Sequence, residues 1–565
     1  MSLLREVLGS GACWGMRQIG DKFLTQTAHF QASSSRTLDR ILALNGRTEF
    51  GRRCGLNGAA PRRVFETLPL TTYRDYAPYV ERLAAGEKNL LSSQPVVYFA
   101  TTSGTSGPQK MIPMTRAHMR AALRTKLIPV GLALRHGILR PMHGRIMVIL
   151  SEHSGGRTAG GIPKGTAISG GFQYFSDVID LFLTAPRDVI RVQDQVAARY
   201  LHLLFALRHE HLWTIIAFFP AMLLFALRDL QTDSEPMLRD LADGTLNGQL
   251  EISAQTRARL LRRLRPEPAR ARALATLIER GQFNVPNIWP QVTAILTATG
   301  GALRFYIDQL RPYLGDLPIF SSAYSSCEGT VGVGFSTDLP YYMMTPGPAY
   351  IELLPIEAMA DPQARPMPAW QARPGCCYEV VLTTLDGLTR YRLEDIVRVV
   401  EFYGQTPIIE FMERKGQVIN VTGEKTAEHH VVEAMEAACR IVRVPLVDYF
   451  VAADSEHQPA RYQLVIEGWP DGQDHSREAQ RLLQEFDGAL CQAAPDYGGE
   501  RRMGALAPMS AILLKPGAFE RERGRRIAAG ASPSQIKTRH VIAEPGAVQP
   551  QVQDEMLLKI EAESS

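Results

Sequence analysis

The sequence predicts an α/β protein of two domains. A large, multi-layer N-terminal domain with mixed sheets and a β-barrel-like part is expected over residues 1–413, and a small α+β domain over residues 414–565. Apolar strands alternate with helical segments through the larger part, which is typical of layered α/β folds. The 565 residues are 45% hydrophobic and 21% charged, which is enough apolar material for one large and one smaller core.

The elements of the larger domain follow from local patterns. Residues 1–90 are expected to be helical, with breaks at Pro61, Pro69 and Pro78. The pattern then predicts a strand at 145–150, a helical segment over 188–206 and a strand at 293–297. Strand-like runs crowd together between 349 and 411, as expected of a sheet that closes off a large domain.

The small domain begins after the charged segment 413–416, which ends in glycine. The pattern predicts, in order, a helix at 427–440, strands at 447–453 and 461–467, a helix at 475–492 and a strand at 510–515. An alternation of this kind over about 150 residues suits an independent α+β domain.

Charge and cysteine content exclude several classes of protein. The formal net charge is +4, from 62 basic and 58 acidic residues, so nothing indicates nucleic acid or an anionic membrane as a partner. Seven scattered cysteines without C-x-x-C spacing, and no secretory signal, predict reduced thiols in a cytoplasmic protein. The most apolar window, 212–227, is broken by Pro220 and too short to span a bilayer, so a buried core helix is expected there.

The first motif is a small, hydroxylated stretch that follows an apolar run ending at Ala100. Its residues are Ser103, Gly104, Thr105, Ser106, Gly107 and, after a short gap, Lys110. Glycines allow a tight turn that brings backbone N–H groups close to an anion, while the hydroxyls and the ammonium group add donors. This pattern predicts a loop that binds the phosphates of a nucleotide. A Walker loop is excluded by the glycine spacing and by Met111 after the lysine, and the alternative is a flexible Ser/Gly-rich turn.

The second motif follows the predicted strand 317–320. On this turn, Tyr324 could stack on a nucleobase, and Glu328 could hold Mg²⁺, which prefers oxygen ligands. The alternative is a surface turn with a partly buried tyrosine.

In the third motif, Asp395 precedes a predicted strand at 396–400, and its carboxylate suits hydrogen bonds to ribose hydroxyls. The alternative there is an ion pair between Arg392 and Asp395.

Two lysines complete the set of candidates. Lys425 lies in the GEKT sequence that opens the small domain, and Lys537 lies in the sequence ASPSQIKTR near the C-terminus. Taken alone, each is most simply an exposed, solvated charge.

The order of these motifs resembles that of the adenylate-forming superfamily. TTSGTSGPQKMIP, AYSSCEG and YRLEDIVRV are similar to its first, second and third motifs. More specifically, the chain resembles the auxin-responsive Gretchen Hagen family of acyl acid–amido synthetases, including its bacterial members. The resemblance extends to 82–91, 288–302, 346–355 and 423–426 and so covers nearly the whole chain.

The resemblance implies a role for each candidate residue. Ser103, Gly104, Thr105, Ser106, Gly107 and Lys110 would bind the ATP phosphates, with Cys327 beside them. Tyr324 would lie at the adenine, Asp395 at the ribose, and Glu328 would hold Mg²⁺. Gly300 and Gly301 would let the backbone pass close to the adenine and the acyl group, Arg414 would sit at a hinge, and Lys537 would enter the site when the mobile small domain rotates.

Three positions depart from the family pattern. Cys327 replaces a hydroxyl residue, Glu394 stands where glycine is usual, and three residues separate Ser106 from Lys110 where plant members often carry four. None of the three departures removes a group that the chemistry requires.

The implied reaction is an ATP-dependent ligation. A carboxylic acid would be adenylated, with release of pyrophosphate, and an amine, most simply an amino acid, would then displace AMP to form an amide. ATP and Mg²⁺ are the implied cofactors, the partners are small molecules, and a monomer is favoured. An acyl-CoA ligase with a thiol acceptor is the alternative enzyme, and a nucleotide-binding scaffold without catalysis is the alternative from another class.

Overall fold

The structure is a computed structural model. It describes residues 2–101, 110–150, 154–172, 180–232, 234–361, 363–415, 418–422, 424–454, 456–470, 474–528, 539–542 and 553–561. The chain divides into two compact units, Met1–Phe411 and Met412–Ser565, and both contain helices and sheets. The predicted α/β fold class is therefore confirmed.

The first unit begins with five helices: α1 Ser2–Ala28, α2 Phe30–Asn45, α3 Glu49–Arg53, α4 Pro61–Thr67 and α5 Tyr73–Ala84. Pro61 opens α4, and Pro69 lies between α4 and α5, as predicted. The break predicted at Pro78 is wrong, because α5 continues through this residue. A proline in the second turn removes one backbone hydrogen bond. The helix is held by its N-terminus, where the Thr72 N–H donates to Asp75 Oδ2 at 2.7 Å, and by a buried apolar face.

The remaining helices of the first unit lie between and after its strands. They are α6 Arg116–Arg135, α7 Ala167–Phe172, α8 Arg187–Ile190, α9 Gln195–Leu207, α10 Pro220–Thr232, α11 Glu235–Asp243, α12 Ala254–Leu261, α13 Pro268–Glu279, α14 Val285–Ile288 and α15 Arg304–Leu314. The helical segment predicted over 188–206 is divided into α8 and α9. Asp194 starts the second helix, since its side chain accepts from the Ala197 N–H at 2.7 Å.

The strands of the first unit form three sheets. They are β1 Val96–Thr101, β2 Met111–Thr115, β3 Arg145–Ile149, β4 Ser154–Arg157, β5 Pro163–Gly165, β6 Leu212–Ala217, β7 Ile295–Thr297, β8 Ile319–Ser321, β9 Ala323–Ser325, β10 Thr330–Val333, β11 Tyr341–Met344, β12 Ala349–Pro355, β13 Met367–Pro368, β14 Cys377–Thr384, β15 Tyr391–Tyr403 and β16 Thr406–Arg414. Two sheets have four strands, in the orders β2-β1-β5-β4 and β3-β6-β7-β8.

The eight-stranded sheet runs β13-β12-β14-β15-β16-β11-β10-β9. It contains the strand-rich region predicted between 349 and 411. Its end strands β13 and β9 are not paired with each other in the described residues, so the predicted barrel-like part is an open sheet. One side of this sheet packs with α5 in an apolar core that includes Tyr76, Val331 and Val397.

The window 212–227 is not the single core helix that its composition predicts. It contains strand β6, which pairs in parallel with β3 and β7, and the start of helix α10. A strand buried on both faces of a parallel sheet is apolar throughout, so its pattern matches that of a buried helix. The helix begins at Pro220, where proline suits the first turn.

The second unit is an α+β fold whose elements agree with the predicted ones. Its elements are β17 Val418–Ile419, β18 Thr426–Ala427, α16 Glu428–Ile441, β19 Asp448–Asp454, β20 Arg461–Glu467, α17 Ser476–Ala493, α18 Pro495–Met503, β21 Ser510–Leu514, α19 Ala518–Ala528, β22 Val541–Ile542 and β23 Met556–Ile560. Its main sheet runs β22-β19-β20-β21-β23.

All seven cysteines are free thiols, as predicted. Among the helices that the structure describes, none combines the length and the apolarity required to cross a membrane.

Candidate active site

The strands on either side of the predicted phosphate loop form an antiparallel pair. Thr101, the last residue of β1, pairs with Met111, the first residue of β2, so the ends of the loop lie side by side. The predicted loop residues Ser103, Gly104, Thr105, Ser106 and Gly107 lie outside the described residues. Lys110 is described, and its Nζ lies 5.8 Å from the centroid of the Tyr73 ring, a cation–π contact with α5.

The second motif lies against these two strands. Cys327 packs on the buried cluster that contains Tyr98 and Ala100 of β1 and Ile112 of β2. The turn that carries Cys327 and Glu328 is therefore close to the strands from which the loop emerges. The structure thus brings the first and second motifs together.

The second and third motifs also meet. The Tyr324 hydroxyl donates to Asp395 Oδ2 at 2.8 Å, and Asp395 is 6% exposed. The alternative ion pair between Arg392 and Asp395 is not formed, because Arg392 Nε donates to Glu379 at 3.0 Å instead. The strand predicted at 396–400 begins earlier than expected, at Tyr391, so that Asp395 lies inside β15.

A bulge in β15 sets the direction of the Asp395 side chain. Arg392 pairs with Val381 and Ile396 with Glu379, so three residues of β15 stand opposite Val380 alone. The middle one of these three, Glu394, has φ of +66°, a conformation that favours glycine. This is the position at which the resembling family usually has glycine. Bulges of this kind redirect side chains beside active sites, which explains why a special residue is needed here.

The Glu328 side chain is buried, and its carboxylate makes few polar contacts. It is 4% exposed, and its Oε1 accepts a hydrogen bond from the Tyr391 hydroxyl at 3.2 Å. Among the described residues, no hydrogen-bond donor reaches its Oε2, and no lysine, arginine or histidine lies within salt-bridge distance of this carboxylate. His118 interacts electrostatically with Glu328 without reaching salt-bridge distance, so a cation beside this buried carboxylate would complete the compensation of its charge.

Magnesium fits this carboxylate. The described residues contain no cluster of three or more ligating side chains. Mg²⁺ does not require one, because it retains waters and takes oxygens from substrate phosphates alongside one or two carboxylates. The free oxygen of Glu328 is a ligand of this type.

Aromatic rings and two glycines surround Tyr324. Its ring centroid lies 5.6 Å from that of Tyr342 and 5.5 Å from that of Phe411. The Gly300 N–H donates to the Tyr342 hydroxyl at 3.1 Å, and a Cβ on Gly300 would lie 3.0 Å from that ring. At Gly301, φ is +59° and a Cβ would lie 2.9 Å from the Phe411 ring. Gly301 therefore requires glycine, whereas a side chain at Gly300 would have to displace the Tyr342 ring slightly.

Sequence reasoning did not assign roles to Tyr342, Phe411 or Tyr391. Nothing local separates Tyr342 and Phe411 from ordinary core residues of their strands. Tyr391 is part of the YRLED sequence, but its contact with Glu328 depends on how β15 packs against the second motif.

Helix α5 connects the lysine to the carboxylate. Tyr73 lies beside Lys110, and Tyr76, one turn further along, has its ring centroid 6.1 Å from that of Tyr391. Residues at i and i+3 share a helix face, so one side of α5 supports both groups. The spacing of Tyr73 and Tyr76 is the sequence feature that could have predicted this shared helix face.

A buried ion pair ties the start of α6 to the turn before β15. His118 Nδ1 pairs with Asp386 Oδ2, and the Thr115 N–H donates to Asp386 Oδ1 at 2.8 Å. Burial alone would lower the pKa of His118, but Asp386 outweighs this effect and raises that pKa above its ordinary value. The pair therefore links the segment that leaves the phosphate loop to the strand that carries Asp395.

Lys126, also on α6, lies near the second motif. Burial lowers the pKa of its ammonium group, while the nearby Cys327 acts in the opposite direction. Its Nζ lies 5.8 Å from the centroid of the Phe218 ring.

Two further predicted residues belong to the second unit or lie outside the described residues. Arg414 is the last residue of β16 and belongs to the unit Met412–Ser565. Lys537 lies outside the described residues. Their roles, like those of the other candidate residues, stay predictions.

Family models match most of the chain. Those described as the GH3 family N-terminal domain, central domain and C-terminal domain match residues 20–319, 342–414 and 429–546, respectively. A jasmonoyl–L-amino acid synthetase of Nicotiana attenuata is 26% identical over 525 residues, which cover 89% of each chain. An indole-3-acetic acid-amido synthetase of Arabidopsis thaliana is 27% identical over 546 residues, which cover 89% of this chain and 91% of the relative.

Solved structures share the fold. The GH3.15 acyl acid amido synthetase in complex with 2,4-DB matches with a TM-score of 0.83 and 23% identity over 98% of both chains. A 2-hydroxyisobutyryl-CoA ligase in complex with 2-HIB-AMP matches with a TM-score of 0.54 and 11% identity over 93% of this chain and 91% of that chain. At these identities the matches establish the fold.

Proposed function

We propose, since this chain belongs to the GH3 family, that it is an acyl acid–amido synthetase, an ATP-dependent ligase that forms an amide and releases AMP and pyrophosphate. The observation that carries the proposal is the meeting of three motifs in one place. Tyr324 and Asp395 are hydrogen-bonded, and Tyr391 joins the strand of Asp395 to Glu328, which lies beside the strands on either side of the predicted phosphate loop.

In the first step, the substrate carboxylate attacks the α-phosphorus of ATP, a P–O bond forms, and the bond to pyrophosphate breaks. We assign the ribose hydroxyls to Asp395, whose carboxylate is oriented by the Tyr324 hydroxyl. The adenine would lie against the rings beside Gly300 and Gly301. The Lys110 ammonium would offset negative charge that develops on the phosphates.

Glu328 would hold Mg²⁺, which neutralises phosphate charge when it is bound. Apart from that charge, the proposed work of the protein in this step is to position the two reactants.

In the second step, the amine nitrogen attacks the acyl carbon, the amide C–N bond forms, the C–O bond to AMP breaks, and the nitrogen loses a proton. We assign the change between the two steps to movement of the second unit, with Arg414 at its start as the hinge. Lys537 would act in the adenylation arrangement only.

The test is a product analysis. The purified chain, ATP, magnesium and a panel of aromatic, indolic and fatty acids would be incubated with a mixture of amino acids or with CoA, and the products identified by mass. We expect acid-dependent formation of an N-acyl amino acid and AMP. A CoA thioester as the main product would show an acyl-CoA ligase, and ATP binding without pyrophosphate release would show a scaffold.

Lys537 offers a test of the two-step scheme. We expect Lys537→Ala to reduce acid-dependent ATP–pyrophosphate exchange while leaving amide formation from a supplied acyl-adenylate intact. Equal losses in both half-reactions would contradict the assignment.

We also propose that the enzyme acts on small molecules as a cytoplasmic monomer. The near-balanced charge and the seven free thiols support this proposal. Light scattering after gel filtration should give 62.6 kDa, and a multiple of this mass would contradict it.

A further inference from the structure

The structure contains a cavity that is lined by residues other than the candidate active-site residues. Its volume is about 280 Å³, and helices α2 and α4, strand β12 and the segment 365–370 contribute to its lining. None of the candidate nucleotide-binding residues lines it. Ligand pockets in proteins start at roughly 300 Å³, so this cavity suits a molecule of about one ring.

One wall of the cavity is aromatic. The rings of Phe65 and Tyr350 lie 5.9 Å apart at 75°, and those of Tyr350 and Trp370 lie 6.3 Å apart at 68°. These edge-to-face contacts fix the rings, and Leu38 adds aliphatic surface beside them. A flat apolar body can pack on such a wall.

The Tyr350 hydroxyl is an unused donor. Tyr350 is 5% exposed, yet its hydroxyl makes no hydrogen bond to any described residue. Burial raises the pKa of this phenol, and Glu352 raises it further, so the hydroxyl keeps its proton. The Tyr350 oxygen is not among the fully enclosed polar atoms that lack a partner, so it retains access to the cavity, where an acceptor can enter.

The lining itself carries more positive than negative side chains: Arg62, Arg365 and Arg390 stand against Glu66 and Glu352. Asp39 pairs with Arg62 from outside the cavity and evens this balance, so binding of an anion depends on the guanidinium N–H groups that these pairs leave available. Arg390 and Glu352 satisfy each other, with Nη2 donating to Oε1 at 2.9 Å.

The guanidinium groups of the other two arginines, Arg62 and Arg365, have N–H groups available to a ligand. Arg62 donates to Asp39 through Nε at 2.6 Å and through Nη2 at 2.9 Å, and Nη2 also donates to the Ser35 carbonyl oxygen, so among the described contacts Nη1 is the nitrogen left for a ligand. Arg365 is exposed, and its Nη1 donates to the Glu66 carbonyl oxygen at 3.1 Å.

We propose that this cavity is a binding site for a small aromatic monocarboxylate, separate from the site of the proposed ligation. The carboxylate accepts a hydrogen bond from Tyr350 and is paired by Arg62 and Arg365, while the ring packs on Phe65 and Trp370. A free phosphate would use the donors but leave the aromatic wall without a partner. A neutral ring would leave the arginines without one.

Trp370 serves as the reporter in the test. The full chain without ATP is titrated with 4-nitrobenzoate, a quencher of tryptophan fluorescence, and with the neutral 4-nitrobenzamide as control. We expect saturable quenching by the acid and at least tenfold weaker binding of the amide. The saturable part should vanish in Trp370→Phe and persist in the control Trp14→Phe, whose ring is 68% exposed.

Two variants address the polar contacts. Tyr350→Phe removes one hydroxyl and should weaken binding of 4-nitrobenzoate about tenfold, as for a lost hydrogen bond to a charged group. Arg365→Gln, at an exposed position that tolerates change, should weaken it severalfold and provides the test if Tyr350→Phe does not fold.

Three results would overturn the proposal: quenching that is unchanged in Trp370→Phe, equal binding of the acid and the amide, or unaltered affinity in the folded variants at Tyr350 and Arg365. Lys110→Ala should bind 4-nitrobenzoate at this site like the parent chain. The result is therefore independent of whether the proposed ligation is correct.

Discussion

Two neighbouring residues, Arg390 just before β15 and Tyr391 at its start, serve two equally buried carboxylates in different ways. Glu352 and Glu328 are each 4% exposed. Arg390 pairs its guanidinium with Glu352, whereas Tyr391 offers Glu328 only a neutral hydroxyl. The first carboxylate is complete within the protein, and the second is not. Buried charges are normally paired, so this difference indicates which carboxylate supports the fold and which one is available to a ligand.

The largest effect is expected at the complete pair. Glu352→Gln leaves the Arg390 guanidinium buried without its counter-charge, and we expect the free energy of unfolding to fall by about 3 kcal/mol or more. Denaturant titration of the full chain measures it. Glu87→Gln, which alters an exposed ion pair with Arg82, is the control and should cost less than about 1 kcal/mol. Similar small losses in both variants would remove the distinction between the two carboxylates.

Glu328→Gln should show the opposite behaviour. We expect little loss of stability, because no arginine is left unpaired, but a decrease of about 100-fold in acid-dependent ATP–pyrophosphate exchange. The same change at Glu401, an exposed carboxylate on β15, should leave exchange unaltered. Exchange at the parental rate in Glu328→Gln would refute the role assigned to this residue.

A smaller effect is expected at the bulge between the two sites. Glu394→Gly and Glu394→Ala both remove the carboxylate, but only glycine adopts a φ of +66° without strain. We expect the glycine variant to be more stable than the alanine variant by about 1 kcal/mol. Thermal unfolding of the two variants side by side measures the difference. An alanine variant of equal or greater stability would show that the bulge stores no strain.

The smallest effect is a pH dependence at His118. A histidine whose pKa is raised by folding stabilises the folded state fully below its unfolded pKa, about 6.5, and this contribution is lost as pH rises through the folded value. The stability difference between the parent chain and His118→Gln should therefore shrink as pH rises above about 6.5. His136→Gln, at the exposed end of the same helix, is the matched substitution outside the ion pair. A difference that is constant with pH would mean that the pair does not titrate.

Much of the fold follows from the sequence because its signals are local. Short apolar runs predict β19 and β20, and the helical period predicts α16 and α17. The window 212–227 fails because the apolar strand β6 is followed almost at once by the apolar start of α10, so the two elements form one long apolar run in the sequence. Pro78 fails because its effect depends on what the rest of α5 buries.

In the candidate site, too, the features with a local sequence signal could be predicted and those that depend on packing could not. Tyr324, Glu328 and Asp395 were singled out from short motifs, and the structure brings them together, although their roles stay predictions. The bulge could not be foreseen, since it is a mismatch between β14 and β15 and belongs to neither strand alone. The contact between His118 and Asp386 likewise joins residues far apart in sequence, with no local signal at either one.

The bulge also has a consequence for the tolerance of this strand to insertions and deletions. The bulge contains two surplus residues. Because side chains along a strand alternate between the two faces of the sheet, an even surplus leaves Tyr391, before the bulge, and Val397, after it, on the same face. Loss of one residue would turn the second half of the strand inside out and bring its valines to the opposite face. Loss of two residues would keep the flanking side chains on their present faces and change only the acidic residues between them, so the position of Asp395 can be altered in steps of two residues and not of one.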